Sequence, residues 1–565
     1  MARPYTVLVN SGPRELRPSL ENQRFHAIVI GGGINGVAIA RECVRAGRRT
    51  LLVEQNDFGS GTTSRSTRII HGGLRYLEHG EFGLVRESLA ERKTLLRRYS
   101  HLVHPLQFVL ALDSNSRRSA LKIRAGLWLY RVMAGGRRPA EGKDENLQKL
   151  ARSLDAGRRW SLFSFQDAQC EFPERLIAEW LVEAMDAGAV ARNHTQVLAV
   201  DVRQGHAKAV LIRDRLSGKE ERVEAGWIVN ATGPWADRIC QRSKIRTQQP
   251  LLGGVRGSHI VLPRFPGAPD SAVYSEAGDG RPIFVIPWND QILVGTTESE
   301  DNTDPGKAQP SGEEIDYLLR SFASLFPRPT FTVRDIRYTF AGIRPLPYAP
   351  NAKLSAVTRR HYLHDHRKDD AAQMISVIGG KLTTAVHLAR ECAAKIGASA
   401  PKRSRTNDLP ESADGANGTL DPRRISLGMI DADVDPLLDA FVTDIANAGG
   451  ISESSASGIV EWHGKRSGAI ARMALSSAQL RAPLCPHTGH IVAEAVDAFA
   501  NECAMTLADV LLRRVPVALG ACWSRECTRE AASVLKPVME WSDQQTAREM
   551  EEFETEREAF LKKPS

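Results

Sequence analysis

The sequence predicts an α/β nucleotide-binding domain followed by a separate all-α domain. Three observations carry that reading. A strand, a glycine turn, a helix and a second strand follow one another between residues 25 and 54. Strand-like and helical runs then alternate to about residue 396. Beyond a stretch rich in Ser, Ala, Pro, Gly, Asn and Asp at 397–424, alanines, leucines and charges recur at helical spacing. The expected organisation is an extension at 1–24, a mixed α/β region at 25–396, a linker at 397–424 and a helical domain at 425–565.

The elements follow in order. Phe25 to Ile30 is a short apolar run and reads as a buried parallel strand. Asn35 to Ala46 carries helical spacing, and Gly47 stops it. Thr50 to Glu54 is the second strand, with a right-handed crossover expected. A Gly/Ser/Thr-rich loop at 57–76 precedes a helix at about 81–99, and residues 121–133 form a second helix with basic side chains around it. Strands are expected within 195–232 and 255–300, a helix at 311–326, and a final strand and helix between 374 and 396.

Composition bounds the class. The chain has 565 residues, 42% hydrophobic and 25% charged, close to the globular average, which excludes a disordered or disulfide-scaffold protein. A net charge of +8 is spread along the chain. It suits a mildly basic surface, an anionic substrate or anionic lipid. No basic run interleaves with aromatics, so nucleic acid is not an expected partner. The eight cysteines are scattered with no CxxC, so the sequence suggests no metal site and no redox dithiol; they read as buried small hydrophobes. No apolar run reaches the ~18–20 residues that span a bilayer, and the N-terminal residues lack the pattern of a signal peptide, so the cytoplasm is expected.

Gly31-x-Gly33-x-x-Gly36 lies between a strand and a helix, and Glu54 closes the next strand. The first glycine permits a tight turn, the second a close approach to pyrophosphate, and the third close helix–strand packing. The helix N-terminus faces the phosphates, and Glu54 suits a free ribose. Two later strand ends also carry glycines, Asn230-Ala-Thr-Gly-Pro-Trp235 and Gly379-Gly-Lys-Leu-Thr-Thr384. A chain that returns repeatedly to one bound molecule favours FAD, although the spacing also fits NAD.

The string Ser60-Gly-Thr-Thr-Ser-Arg-Ser-Thr-Arg-Ile-Ile-His-Gly-Gly-Leu-Arg-Tyr-Leu-Glu78 resembles the FAD-dependent, quinone-reducing glycerol-3-phosphate dehydrogenases. The resemblance continues through Val255-Arg-Gly-Ser-His259, Ile286-Pro-Trp288, Gly295-Thr-Thr297, Gly342-Ile-Arg-Pro-Leu346 and the 379–384 motif. At 502–514 the chain resembles that family's helical cap. The fold implied is an FAD-binding, Rossmann-like domain of the glutathione-reductase type, with an α+β substrate cap carrying an antiparallel sheet, and the C-terminal all-α domain. The activity implied is oxidation of sn-glycerol 3-phosphate to dihydroxyacetone phosphate, with hydride passing from C2 to flavin N5 and electrons onward to a ubiquinone-type membrane quinone. The implied location is the inner face of the cytoplasmic membrane, held peripherally; a homodimer is one assembly the resemblance allows.

The resemblance also implies the site. FAD contacts fall to Gly31, Gly33, Ile34, Asn35, Gly36, Glu54, Gln55, Thr63, Ser64, Ser66, Thr67, His71, Gly73, Leu74, Val197, Ala231, Thr232, Gly233, Gly380, Lys381, Leu382 and Thr383. Substrate contacts fall to Arg75, Tyr76, His259, Arg344, Arg359 and Lys381, with His259, Arg344 and Lys381 catalytic and no metal. Arginine suits a phosphate because its planar fork donates bidentate hydrogen bonds. Arg344 would stabilise a developing alkoxide. His259, with an ordinary pKa near ~6.5, is the general-base candidate. Lys381 would stabilise negative charge on a reduced flavin.

The chain departs from the family pattern at Glu298, Arg360, Ala385-Val-His387 and Arg513-Arg-Val-Pro516. Three alternatives stay open: an oxygen-using oxidase of the same fold, a paralogue acting on another phosphorylated or acidic alcohol, which the changes at 360 and 385–387 allow, and a flavin-binding regulatory or assembly protein without catalysis. The segment at 121–133 alternates apolar and aromatic residues with Lys122, Arg124 and Arg131, which suits either a lipid surface or a core-packed helix.

Overall fold

In the computed structural model the described residues are 17–564, apart from 79, 115, 117, 136–144, 351, 353–356 and 399–433. The side chain of Arg75 and most of the expected extension and linker lie outside the described residues.

The first sheet is built around a parallel core. β1 (Arg24–Ile30) pairs in parallel with β2 (Thr50–Val53) on one side and β9 (Glu220–Asn230) on the other. β6 (Val190–Arg192) adds beside β2, and β17 (Met374–Ile378) beside β9, both in parallel. β16 (Tyr362–Asp365) closes one edge antiparallel to β17. β7 (Thr195–Arg203) and β8 (His206–Asp214) form an antiparallel flap extending from β9. The central strands are apolar because helices or the flap cover both faces. Helix Ile34–Arg45 packs between helices Pro173–Asp186 and Ala385–Lys395 on one face.

Strand register decides where the site lies. Ile30 pairs with both Val53 and Asn230, and Ser376 pairs with Asn230. The carboxyl ends of β1, β9 and β17 therefore stand side by side. The turns beginning at Gly31, Ala231 and Gly379 open onto one crevice, the place where open α/β sheets bind ligands.

The second sheet covers that crevice. Its order is β14 (Ser299–Glu300), β10 (Leu252–Pro263), β13 (Gln291–Gly295), β12 (Pro282–Trp288), β11 (Ala272–Glu276), β4 (Val103–Leu112), β5 (Ser161–Cys170) and β3 (Ile69–Ile70). β15 (Tyr338–Pro347) pairs with β10 along ten residues. The expected antiparallel cap is thus a mixed sheet, because β11 and β4 run parallel where two distant segments meet. The expected helix at 311–326 spans Gly312–Leu325, started by a Ser311/Glu314 capping box. β4 and β5, ten residues each, were not expected; Pro105 and the polar residues of Ser161–Cys170 break any alternation, and only the mutual pairing makes them strands.

Beyond residue 433 the described chain is helical, including Val434–Gly449, Glu453–His463, Ser467–Leu475, Val492–Asn501, Arg525–Leu535 and Asp543–Phe560. Buried charge docks this domain. Asp57, just past β2, accepts from Arg513 Nε at 2.5 Å, from Arg514 at 2.8 and 2.7 Å, and from Asn193 Nδ2 at 3.0 Å. Arg175 donates to both oxygens of Glu502 at 3.0 and 2.8 Å, with both side chains fully buried. Removing one partner of such a set leaves an unpaired buried charge, at a cost of about 3–5 kcal/mol. Asp57→Ala should therefore lower stability by about that amount and loosen the C-terminal domain. A urea titration following tryptophan emission and flavin release checks it; an unchanged midpoint would contradict the assignment.

Candidate functional site

The crevice is a cavity of about 1720 Å³ lined from both sheets and from the C-terminal domain. At its floor the fingerprint glycines adopt the required geometry. Gly31 has φ of +101°, and a Cβ there would stand 2.6 Å from the Ala231 carbonyl oxygen. A Cβ on Gly36 would stand 1.8 Å from the Gly31 carbonyl oxygen. Gly36 is therefore a packing glycine behind the cavity wall, and among the described cofactor candidates it alone does not line the cavity. Gly33 starts helix Ile34–Arg45 without a side-chain cap, so first-turn N–H groups remain for a ligand, apart from Ile34, which donates to Thr63 Oγ1 at 3.2 Å.

Glu54 is fixed at the end of β2. Its two oxygens accept one N–H each, from Gly32 at 2.7 Å and Asn56 at 2.9 Å. Each oxygen keeps a lone pair for a ribose hydroxyl. Burial raises this carboxyl's pKa, and the two N–H donors and His194 oppose the rise. Gln55, Val197, Ala231, Thr232 and Gly233 line the same end.

The Ser/Thr loop crosses the middle. Ser64 donates to the Gly59 carbonyl at 2.8 Å, which closes the turn. Ser66, Gly73 and Leu74 line the wall with Thr63, Ser64 and Thr67. Asn35 Nδ2 donates to the Gly379 carbonyl at 3.3 Å and so ties the first glycine turn to the third. Thr383 Oγ1 accepts the His71 N–H at 3.2 Å, while Gly380 and Leu382 complete the third turn.

Cations and histidines line the same cavity. His259, on β10, stacks on Phe340 with ring centroids 4.9 Å apart and bonds Thr67 Oγ1 through Nε2 at 3.0 Å. Burial, then Arg344 and Arg68, pull its pKa down to about 3, so the ring is neutral at physiological pH. This corrects the expectation that His259 keeps the proton affinity of a free imidazole. His71 is likewise pulled to about 3 by burial, then by Lys381 and Arg359. Arg344 donates to Thr296 Oγ1 at 2.8 Å and to the Thr297 carbonyl at 3.2 Å. Arg359 pairs with Glu298 at 2.6 Å. Lys381 Nζ stands 4.0 Å over the Tyr76 ring and has no hydrogen-bond partner among the described residues. Burial drives its pKa down to about 7, which Glu87 and Glu81 resist and Arg359 assists. The backbone of Arg75 continues the same short helix, Leu74–Glu78, but its side chain lies outside the described residues.

Arg65, Arg513 and Phe560 are among the lining residues that the sequence reading did not assign to the site. Arg65 stacks over Phe560 at 4.8 Å, and burial lowers its pKa to about 10. Its place inside the Ser/Thr motif was a usable signal. Arg513 and Phe560 reach the cavity from the C-terminal domain; Arg513 lies in the 502–514 stretch, and nothing local in the sequence marks Phe560.

These features fit FAD. Gly31, Gly33 and Glu54 would hold the adenosine and pyrophosphate portion. The Ser/Thr loop and the third glycine turn would hold the flavin. Buried polar atoms with no partner among the described residues, Asn35 Oδ1, His259 Nδ1 and Lys381 Nζ, belong to residues lining the same cavity.

Comparison with known proteins agrees. Residues 26–386 match the family described as FAD dependent oxidoreductase, and residues 423–546 match the C-terminal domain of alpha-glycerophosphate oxidase. A glycerol-3-phosphate dehydrogenase of Synechocystis sp. is 36% identical over 516 residues, 89% of this chain and 90% of that protein. A D-erythritol 1-phosphate dehydrogenase of Brucella abortus is 34% identical over 372 residues, 65% of this chain and 73% of that protein. The solved structure of a Bacillus halodurans glycerol-3-phosphate dehydrogenase with FAD superposes with a TM-score of 0.71 at 22% identity, covering 96% of each chain, and so shares the fold.

Gly36→Ala should weaken FAD binding ~10–100-fold, because the added methyl forces overpacking of ~1–3 kcal/mol at the turn. The ratio of flavin to protein absorbance after desalting checks it. Full flavin occupancy would show that the turn can yield.

Proposed function

This chain belongs to the family of FAD-dependent glycerol-3-phosphate dehydrogenases and oxidases, and we propose that it oxidises sn-glycerol 3-phosphate to dihydroxyacetone phosphate and passes the electrons to a membrane quinone. The observation that carries the substrate class is that Arg344, Arg359 and Lys381 line one cavity with a buried, neutral histidine. Cations suit a phosphate dianion, and a neutral ring suits a hydroxyl proton. FAD, when bound, supplies the two-electron acceptor for the hydride leaving C2.

The residues divide the remaining work. Arg359, Lys381 and Tyr76, with Arg75, bind the phosphate; Arg359 exchanges part of its pairing with Glu298 for the incoming dianion. Arg344, oriented by Thr296 and Thr297, donates to the C2 oxygen and lowers the hydroxyl's pKa. His259, oriented by Thr67, takes the proton. The substrate's negative charge raises the proton affinity of the buried ring, in the direction opposite to Arg344 and Arg68. A second reading rests on Lys381. With a pKa near 7 its neutral amine is matched to proton abstraction at neutral pH.

Membrane attachment is proposed through helix Ala120–Met133. Ile123, Leu127 and Tyr130 bury one face, while Leu121, Trp128 and Val132 are 76, 66 and 53% exposed on another, flanked by Arg124 and Arg131. Phe82, 50% exposed, and Leu129 of the same helix line the cavity mouth. An apolar stripe beside basic residues suits an anionic lipid surface, and its place at the mouth suits delivery of electrons to a lipid-soluble acceptor. Among the described residues, no helix is long and apolar enough to cross a membrane.

Anaerobic addition of sn-glycerol 3-phosphate should bleach the flavin absorbance, and a quinone analogue should restore it. Bleaching by D-erythritol 1-phosphate alone would move the substrate to a longer polyol phosphate, and peroxide formed in air at the turnover rate would make oxygen the acceptor. His259→Asn should slow bleaching ~10²–10⁴-fold. If Lys381 is the base, the rate instead rises with pH through about 7, as the ammonium loses its proton, and that limb vanishes in Lys381→Met.

Wild-type protein should float with anionic liposomes in a salt-sensitive way. Replacing Leu121, Trp128 and Val132 with glutamate should abolish flotation while bleaching by soluble substrate persists. Equal flotation of the variant would remove this helix from membrane binding.

A further inference from the structure

The C-terminal domain brings together soft ligands that the sequence keeps apart. Cys485 and His487 lie in a loop before helix Val492–Asn501, and Cys527 lies in the first turn of helix Arg525–Leu535. One donor atom from each of the three falls within 4.8 Å of the others. Cys527 Sγ is 3.7 Å from His487 Nδ1. The corresponding edge of a tetrahedron around zinc, with bonds of ~2.3 Å to sulfur and ~2.0 Å to nitrogen, is about 3.5 Å. We propose that Cys485, His487 and Cys527 form a structural Zn²⁺ site, with Cys522 or water in the fourth position.

The surroundings favour that use over three idle side chains. Both sulfurs are buried, whereas His487 is exposed, so the ion has an entry path. No carboxylate joins the three, and a set of thiolates and imidazole selects zinc over magnesium or calcium. Cys522 lies in the turn before the helix, its carbonyl oxygen 3.7 Å from Cys527 Sγ, and its side chain is exposed. Cys485 responds to the charge of both Cys522 and Cys527, which puts the three thiols in one electrostatic neighbourhood. The ligand frame is preset. The Leu484 N–H donates to the His490 carbonyl at 2.8 Å and pins the loop that carries His487. Ser524 caps the helix, and its hydroxyl lies 3.6 Å from Cys527 Sγ, where it can support a thiolate. A position in the first turn of a helix also favours the negative sulfur. On binding, each ligating thiol releases its proton to solvent, two with water in the fourth position and three with Cys522, and the imidazole binds unprotonated.

The site would clip a segment that matters to the fold. Residues between Arg514 and Ser524 dock on the second sheet, where the Leu519 carbonyl accepts from Asn289, Gln291 and Tyr338 at 3.0, 3.1 and 2.7 Å. Zinc would fasten the end of that segment to the 484–490 loop.

The test uses the full-length flavoprotein, purified under reducing conditions without chelator. Elemental analysis should find one zinc per chain, and cobalt substitution should give the intense visible bands of a tetrahedral thiolate site. His487→Ala, a change at an exposed loop, and Cys527→Ser should each weaken metal affinity roughly tenfold or more while flavin content holds. Chelator should lower the melting temperature of wild type and leave that of the variants unchanged. Reduced protein that holds no zinc and gives no cobalt spectrum would overturn the proposal. So would native protein two hydrogens lighter through a Cys485–Cys527 disulfide.

Discussion

The docking of the C-terminal domain depends on one buried carboxylate. Asp57 lies just beyond the strand end that positions Glu54, and Arg513 and Arg514 reach it from the far end of the chain. All three side chains are withdrawn from water, so none can be removed without stranding the others. The same arginines have further ties: Arg513 to Asp509 and Glu556, and Arg514 to the Glu502 carbonyl. Glu502 in turn holds Arg175 of the first domain. The ribose end of the cavity and the docking of the helical domain thus share one electrostatic frame. That frame brings Arg513 and Phe560 into the cavity wall.

The cavity itself is arranged for anions. His71 and His259 are driven down to about 3, Lys381 to about 7 and Arg65 to about 10. Burial is the first cause in every case, and for His71, His259 and Lys381 neighbouring cations add to it. Carboxylates of Glu54, Glu298 and Glu556 line the same cavity, but the charged neighbours that shift His71 and His259 are all cations, so these two groups lack nearby negative charge. An incoming pyrophosphate or phosphate supplies that charge and relieves the depression, so part of its binding free energy is the recovery of these shifts. The histidines are the informative members. At neutral pH they carry no charge, so they contribute shape and hydrogen bonds while arginine and lysine contribute the field.

What was legible in the sequence was what local chemistry determines. The Gly31–Gly36 turn, the acid at Glu54 and the helix expected at 311–326 each need only neighbours in the chain. The three glycine-bearing strand ends were also legible, since each carries its own turn signal, and register places them side by side. The strands Val103–Leu112 and Ser161–Cys170 were not, because each is a strand only by virtue of the other. The Asp57–Arg513–Arg514 contact and the Cys485, His487 and Cys527 cluster were invisible for the same reason: no spacing rule joins residues so far apart. The pKa of His259 illustrates the limit on site residues. Its identity suggested a base, whereas its burial against Phe340 and Arg344 decides how strong a base it is.

The departures from the family pattern are not equal once they are placed in space. His387 pairs with Glu391 and Glu87, and neither it nor Arg360 lines the cavity. Ala385 and Val386 are buried in helix packing, and Arg514 of the 513–516 departure is committed to Asp57. Glu298 differs, because it lines the cavity and holds Arg359, whereas Arg513, which also lines it, is held by Asp57, Asp509 and Glu556. A carboxylate beside a clamp arginine has two opposed effects on a phosphorylated substrate. It fixes the guanidinium in place, which lowers the entropy lost on binding, and it repels the dianion it is meant to help hold. Under the proposed function, Glu298 is therefore the departure placed to bear on the choice among phosphorylated polyols.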